Sequence, residues 1–141
     1  MDAGPALEEL VRQECLDLLS ACSIGRVAVP VAGDGPLVVP VNYVLDGDVV
    51  VFRSDPGTKL TAVQLGPISF QVDQLDFLRR TGWSVLVRGL AYEATHWETD
   101  HIPLDPWAGG DKHHWVRLVP SSITGRRIRL PELLLDGRGY L

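Results

Sequence analysis

A chain of 141 residues that is 45% hydrophobic and 22% charged is long enough to bury a real core as one domain, and its composition is not that of a disordered polymer. Its formal net charge of -5 excludes nucleic acid as a main partner, because binding a phosphate backbone needs a basic surface. No apolar run approaches the roughly 20 residues of a membrane span. The acidic N-terminus lacks a basic-then-apolar signal layout, so a cytoplasmic protein is expected.

Leu7, Leu10, Val11, Cys15, Leu18, Leu19 and Cys22 recur at steps of three and four, which predicts an amphipathic helix over about residues 6–22. Glu8 and Glu9 would sit in its first turns, where negative charge suits the helix dipole. Cys15 and Cys22 would then lie about 10 Å apart along the axis, too far for a disulfide, and read as small buried hydrophobes. Ser23-Ile24-Gly25 ends the helix. Arg26–Val31 reads as a first strand, followed by the turn cluster Ala32–Pro36 and a second strand, Leu37–Leu45, apolar on both faces and so expected to be covered on both sides. Asp46-Gly47-Asp48 is a hairpin signal leading into Val49–Arg53. Pro40 interrupts the second strand. A proline there marks either a sheet edge or a bulge, and beside the amide of Asn42 it would leave backbone groups free for a ligand.

Ser54-Asp55-Pro56-Gly57-Thr58-Lys59 switches the chain to helical periodicity. Exposed N–H groups, the dipole, the Thr58 hydroxyl and the Lys59 ammonium would converge there, a chemistry suited to a phosphate, although the order is not that of a P-loop. A short helix would end at Gly66-Pro67. Ile68–Asp73 alternates cleanly, Gln74–Gly82 is a polar connection carrying Arg79 and Arg80, and Trp83–Ala94 is the longest strand, with Gly89 suggesting a bulge or bend. Thr95–Lys112 lacks periodicity and reads as a solvated loop. The four histidines, His96, His101, His113 and His114, match no ligand frame, so no metal site is expected. His114–Pro120 is a further strand, turned by Ser121-Ser122 into Ile123–Leu130. Arg126 shares a face with Ile128 and Leu130, while Arg127 and Arg129 share the other with Ile123. A cation on an apolar side needs an anionic or acceptor partner, internal or bound, and Arg26 and Arg53 raise the same question. The tail, Pro131–Leu141, carries Leu133-Leu134-Leu135 and is expected to dock on something.

One N-terminal helix (about 6–22), six to seven strands with short connections (about 24–130) and Gly or Pro at the corners favour a mainly β, antiparallel barrel in a single domain spanning 1–141. An ordered set of segments makes a family resemblance visible. Gly25-Arg26-Val27-Ala28, Pro40-Val41-Asn42-Tyr43-Val44, Val51-Phe52-Arg53-Ser54, Gly57-Thr58-Lys59-Leu60, Phe70-Gln71-Val72-Asp73, Gly82-Trp83-Ser84-Val85, Trp115-Val116-Arg117-Leu118 and Thr124-Gly125-Arg126 occur in the order found in the pyridoxamine 5′-phosphate oxidase-like flavoproteins. The chain resembles that family over roughly residues 10 to 130, which implies a Greek-key, FMN-binding split barrel and a homodimer with a cofactor in each of two interface clefts. The resemblance places Pro40, Val41 and Asn42 beside the isoalloxazine, Phe52, Arg53 and Ser54 along the ribityl chain, and Thr58 and Lys59 on the phosphate. Gln71, Trp83, Ser84 and Arg126 would complete the pocket from the other subunit. It implies a small-molecule oxidoreductase, with the deazaflavin F420 as alternative cofactor and a non-enzymatic flavin-binding or interaction module as alternative role. The family's Arg-x-His-Asp-Arg-like substrate clamp is missing after the last strand, so oxidation of pyridoxamine phosphate itself is not expected and the substrate stays open.

Overall fold

The computed structural model describes residues 6–31, 33–54, 67–104 and 114–130. Its elements are β1 (Ala6–Leu10), α1 (Arg12–Ser20), β2 (Ile24–Val31), β3 (Gly35–Asp46), β4 (Val49–Ser54), β5 (Pro67–Asp76), β6 (Thr81–Glu93), α2 (His96–Thr99) and β7 (His114–Arg129). The seven strands form one antiparallel sheet in the order β1-β7-β4-β3-β2-β5-β6, and a further β7–β6 pairing closes the ring. The expected antiparallel barrel is the observed fold. Alternation along each strand sends Val27, Val29, Tyr43, Phe52, Phe70, Val72, Val85, Val87 and Leu118 into one core, each at most 2% exposed. Tyr43 meets Phe70 edge-to-face at 4.9 Å between centroids, and its hydroxyl donates to the Leu19 carbonyl at 2.5 Å. Burial pushes the Tyr43 phenol well above its usual range, which keeps that donor protonated.

The N-terminal helix is shorter than its periodicity suggested. Residues 6–10 form a strand, and α1 begins only at Arg12. The cause is non-local: β4 covers one edge of β7 only from His114 to Leu118, and β1 takes the far end of that edge in register from Leu10–Gly125 to Ala6–Arg129. Glu8 then faces Arg127, and its carboxylate lies 2.9 Å from Arg129, an opposite-charge pairing that rewards the extended form. The helix start is half a capping box, with the Val11 N–H donating to the Glu14 carboxylate at 3.3 Å; a valine side chain can supply no second half. Cys15 and Leu19 are buried, whereas Cys22 lies past the helix end and is only half-buried; both cysteines are free thiols.

Two further expectations change. Ser121-Ser122 is not a turn: β7 runs unbroken from His114 to Arg129, and Ser121 is the extra residue of a bulge, because Arg88 faces Ser122 while Gly89 faces Pro120. Gly89 is demanded by this close approach, since a Cβ there would stand 2.0 Å from the Val119 carbonyl oxygen. The segment after β6 is not a simple solvated loop either. It forms the short α2, buries Thr99 and Leu104, and is tied down through Glu98, which accepts from the Thr95 N–H at 3.1 Å and the Tyr92 hydroxyl at 3.0 Å. These bonds, with Arg117 at 3.5 Å, hold the Glu98 carboxyl below the ordinary glutamate range, the Thr95 N–H being the largest cause. The Asp46-Gly47-Asp48 hairpin is observed, with Gly47 at φ 66°.

Candidate functional site

The site is set by where β3 stops pairing. Its first two thirds, from Gly35 to Asn42, are held by β2, whereas β4 joins it only from Tyr43 to Asp46. Pro30 faces Pro36 and Arg26 faces Pro40 in the β2–β3 ladder. Two prolines opposite each other have no N–H to exchange, so the even-numbered positions are the non-hydrogen-bonded pairs. The ladder bonds therefore belong to the odd residues, and the Tyr43 N–H likewise points that way, donating to Ser23 at 3.0 Å. The backbone groups of Pro36, Val38, Pro40 and Asn42 point to the other edge, where no described strand pairs with them. Pro40 thus marks an open edge rather than a defect. The outward side chains of Val38 and Pro40 are exposed, so β3 is not covered on both sides as its composition suggested.

Where β4 passes beyond Phe52 it leaves β3 and stays with β7, pairing Arg53 with Trp115 and Ser54 with His114. Pro40 and Asn42 therefore stand on one lip of an opening, and Arg53 and Ser54 on the other. Asn42 donates to the Ser23 carbonyl at 3.4 Å. The Arg53 guanidinium stacks on Trp115, 4.8 Å from the ring centroid, and donates to the Leu104 carbonyl at 3.0 Å. Val41 and Phe52 turn their side chains into the core. The segment carrying Thr58 and Lys59, with the short helix expected there, lies outside the described residues, as do His113 and the tail from Pro131.

The remaining four residues converge elsewhere. Gln71, Trp83, Ser84 and Arg126 line a cleft of about 410 Å3 on the outer face of β5, β6 and β7, together with Asp73 and the exposed Leu7. Two cross-strand rows build it. Pro40, Arg26, Gln71, Leu86 and Thr124 face one another in one row, and Asp73, Ser84, Arg126 and Glu9 in the next. Gln71 is oriented by its neighbours, accepting from Arg26 at 3.1 Å and donating to Asp73 at 2.9 Å, with Arg26 and Asp73 3.5 Å apart. Arg26, Arg127 and Arg129 thus find internal carboxylates, while Arg126 makes no ion pair or hydrogen bond among the described residues. Leu7 and Asp73 were missed as lining residues: Leu7 because its strand was read as helix, Asp73 because only its parity with Gln71 could have shown it. No described group of three or more His, Cys, Asp or Glu residues is arranged to hold a metal ion.

The two clusters are separated within one chain. From the β3 edge to Arg126 there are four strand spacings, about 19 Å on a curved surface.

Comparison with known proteins agrees with this architecture. The family model described as pyridoxamine 5′-phosphate oxidase matches residues 11–127. Among curated proteins, the chain is 33% identical over 131 residues to the uncharacterized protein Rv0080 of Mycobacterium tuberculosis, covering 85% of this chain and 84% of the relative. Among solved structures, an FAD binding protein from Mycobacterium smegmatis is 34% identical with a TM-score of 0.68, covering 88% of this chain and all of that one (100%). An FAD-binding protein from Mesorhizobium loti superposes with a TM-score of 0.72 at 27% identity, over 89% of this chain and 99% of that one. With the split between β3 and β4, the closed β6–β7 seam and a family match over most of its length, the chain belongs to the pyridoxamine 5′-phosphate oxidase-like family.

Proposed function

We propose that this protein is a cytoplasmic, homodimeric flavoprotein that holds a flavin nucleotide at the subunit interface and serves as a small-molecule oxidoreductase. The observation that carries the reading is the open β3 edge opposite Arg53 and Ser54, a lip of backbone acceptors and donors that the fold leaves unused among the described residues. It is supported by the 34% identical FAD binding protein, which the chain matches over its whole length.

The residues present fit such a group. A flavin is a flat apolar ring with polar edges and a phosphorylated tail. The chain offers the Pro40–Asn42 edge and Arg53 on one side of the opening, and a cleft of Gln71, Trp83, Ser84 and Arg126 for a second copy to contribute. In this reading the backbone at Pro40 and Asn42 meets the polar edge of the ring. Gln71, fixed by Arg26 and Asp73, presents its amide in one orientation, and Arg126 supplies a cation with no competing partner among the described residues. Thr58 and Lys59 hold the phosphate of the FMN portion, which FMN and FAD share. The bound flavin would supply hydride transfer, and the protein binding, orientation and exclusion of water.

Titrating the purified protein with riboflavin, FMN and FAD while following flavin fluorescence, beside its mass in solution, tests the reading. A dimer that quenches phosphorylated flavin and bleaches it with reduced nicotinamide is expected. Lys59→Ala should weaken binding several-fold or more through loss of a charge-assisted phosphate contact. A colourless monomer that quenches none of the three ends the proposal.

A further inference from the structure

Past Gln71 and Leu86 the outer face of β5, β6 and β7 runs on into a smaller cleft of about 300 Å3, whose lining includes Ser69, Arg88, Gly89, Ser121 and Ser122. Register builds it. Ser69 faces Arg88 across the β5–β6 ladder, and Arg88 faces Ser122 across the β6–β7 ladder, so an arginine stands between two serines in one cross-strand row. That row lies two residues along from Gln71, Leu86 and Thr124, about 7 Å at the rise of a strand. The β7 bulge falls at the same place. Its extra residue, Ser121, donates to the Arg88 carbonyl at 3.0 Å, and Gly89 leaves room for the close approach. The irregularity is thus fastened to the backbone of the residue that carries the cation, in the way bulges re-aim side chains beside a site.

An exposed arginine needs no ligand of its own, since water satisfies it. The setting of this one is what differs. Arg12, Arg26, Arg117, Arg127 and Arg129 each stand beside a carboxylate. Arg88 makes no ion pair or side-chain hydrogen bond among the described residues, and no described Asp or Glu lines its cleft. The half-buried hydroxyls of Ser69 and Ser122 also make no hydrogen bond among the described residues. One row therefore offers an N–H fork and two O–H donors without an acceptor. A guanidinium fork matches a carboxylate through two parallel bonds. Charge decides between anions. One guanidinium balances the single charge of a carboxylate, whereas a phosphate monoester carries about -1.5 to -2 at neutral pH. No second described cation lines this cleft, and the whole chain has a net charge of -5. The volume is at the low end of the roughly 300–1,000 Å3 of small-molecule clefts, enough for a head group. The rest of a ligand would extend over Leu86, which is 37% exposed.

We propose that Ser69, Arg88 and Ser122 anchor the carboxylate of a small organic acid whose body runs along the outer face toward Gln71. The inference rests on the proposed flavin function and names the class of substrate it serves. Benzoate is the probe, titrated calorimetrically into the purified full-length protein, with inorganic phosphate as the rival anion. Saturable benzoate binding is expected. Arg88→Gln should weaken it at least tenfold, and Arg88→Lys nearly as much, because an ammonium keeps the charge but not the fork. Arg88 is exposed and its side chain makes no hydrogen bond among the described residues, so both variants fold, and both should bind flavin within twofold of the unaltered protein. Benzoate added to flavin-loaded protein should shift the flavin absorption band, and should leave it in place in Arg88→Gln. Absence of saturable binding, binding that Arg88→Gln leaves unchanged, or tighter binding of phosphate overturns the anchor and leaves the flavin reading standing. Benzoate held through Arg88 with no change in the flavin band overturns the substrate role. Benzoate held through Arg88 in a protein that takes up no flavin overturns the flavin reading and the substrate role together, and the carboxylate site stands alone.

Discussion

β6 and β3 are strands of nearly equal length, thirteen and twelve residues, with opposite fates. β6 is paired with β7 from Gly82 to Glu93 and with β5 from Thr81 to Leu90, so its backbone is spent in the ladder. β3 is shared out, Gly35–Asn42 to β2 and its last four residues to β4. The difference follows from composition. β6 and its partner send Val85, Val87, Ala91, Val116, Leu118 and Ile123 inward, and the one proline at the seam, Pro120, sits at the bulge where the ladder is already interrupted. β3 carries Pro36 and Pro40 on the edge it leaves open. The closed seam makes the barrel, and the unclosed one leaves part of its backbone unpaired among the described residues.

Substitutions can set the two seams against each other. The largest effect is expected from Gly89→Val at the closed one, where the new side chain would meet the backbone of Val119 at 2.0 Å and of Pro120 at 2.9 Å, neither of which can swing aside. Such overpacking should abolish the cooperative urea transition, whereas Pro40→Ala at the open edge should shift stability by no more than about 1 kcal/mol. If both variants unfold alike, the open edge is structural and the contrast fails. A middle-sized effect is expected at Tyr43, whose hydroxyl ties α1 to the inside of β3 through the Leu19 carbonyl. Tyr43→Phe leaves that carbonyl without its donor and should cost about 1–3 kcal/mol by denaturant titration. A neutral result would mean that water takes the place of the phenol.

The smallest effect is a pH dependence beside the opening. Glu98 fastens the 95–104 segment, from which the Leu104 carbonyl holds Arg53. Its carboxyl is held below the ordinary glutamate range, so the anchoring is complete above that range and is lost as pH falls through the lowered value. Near-ultraviolet circular dichroism should show a small acid transition that Glu98→Gln removes. A transition unchanged in the variant would assign it to another carboxylate.

The strands of the barrel were legible because their alternation is local: apolar parity located Ile68–Asp73 and Trp83–Ala94. β5 nonetheless runs on to Asp76 and β6 begins at Thr81, so the expected connection Gln74–Gly82 is largely strand, and β7 rather than β6 is the longest. Residues 6–10 were not, because Leu7 and Leu10 satisfy a helical spacing and the deciding influence is an unoccupied edge of β7 more than a hundred residues away. Ser121-Ser122 misled for a related reason. A polar pair between apolar runs looks like a turn unless the partner strand is known to offer Gly89 opposite it. Among candidate site residues, the outer-face set of Gln71, Ser84 and Arg126 converges through register that parity on separate strands cannot reveal. The proposed union of the outer-face cleft with the Pro40–Asn42 edge is a question of assembly, which a single chain's spacing does not encode.

The prolines of β3 have one more consequence. An unpaired strand edge is a template on which another chain can add, the usual first step toward aggregation. Along Pro36, Val38, Pro40 and Asn42 every residue carries a carbonyl, but only two carry an N–H, so a would-be neighbour finds acceptors without the matching donors and cannot zip. Among the described residues this part of the sheet can thus stay unfinished without offering another polypeptide a full template.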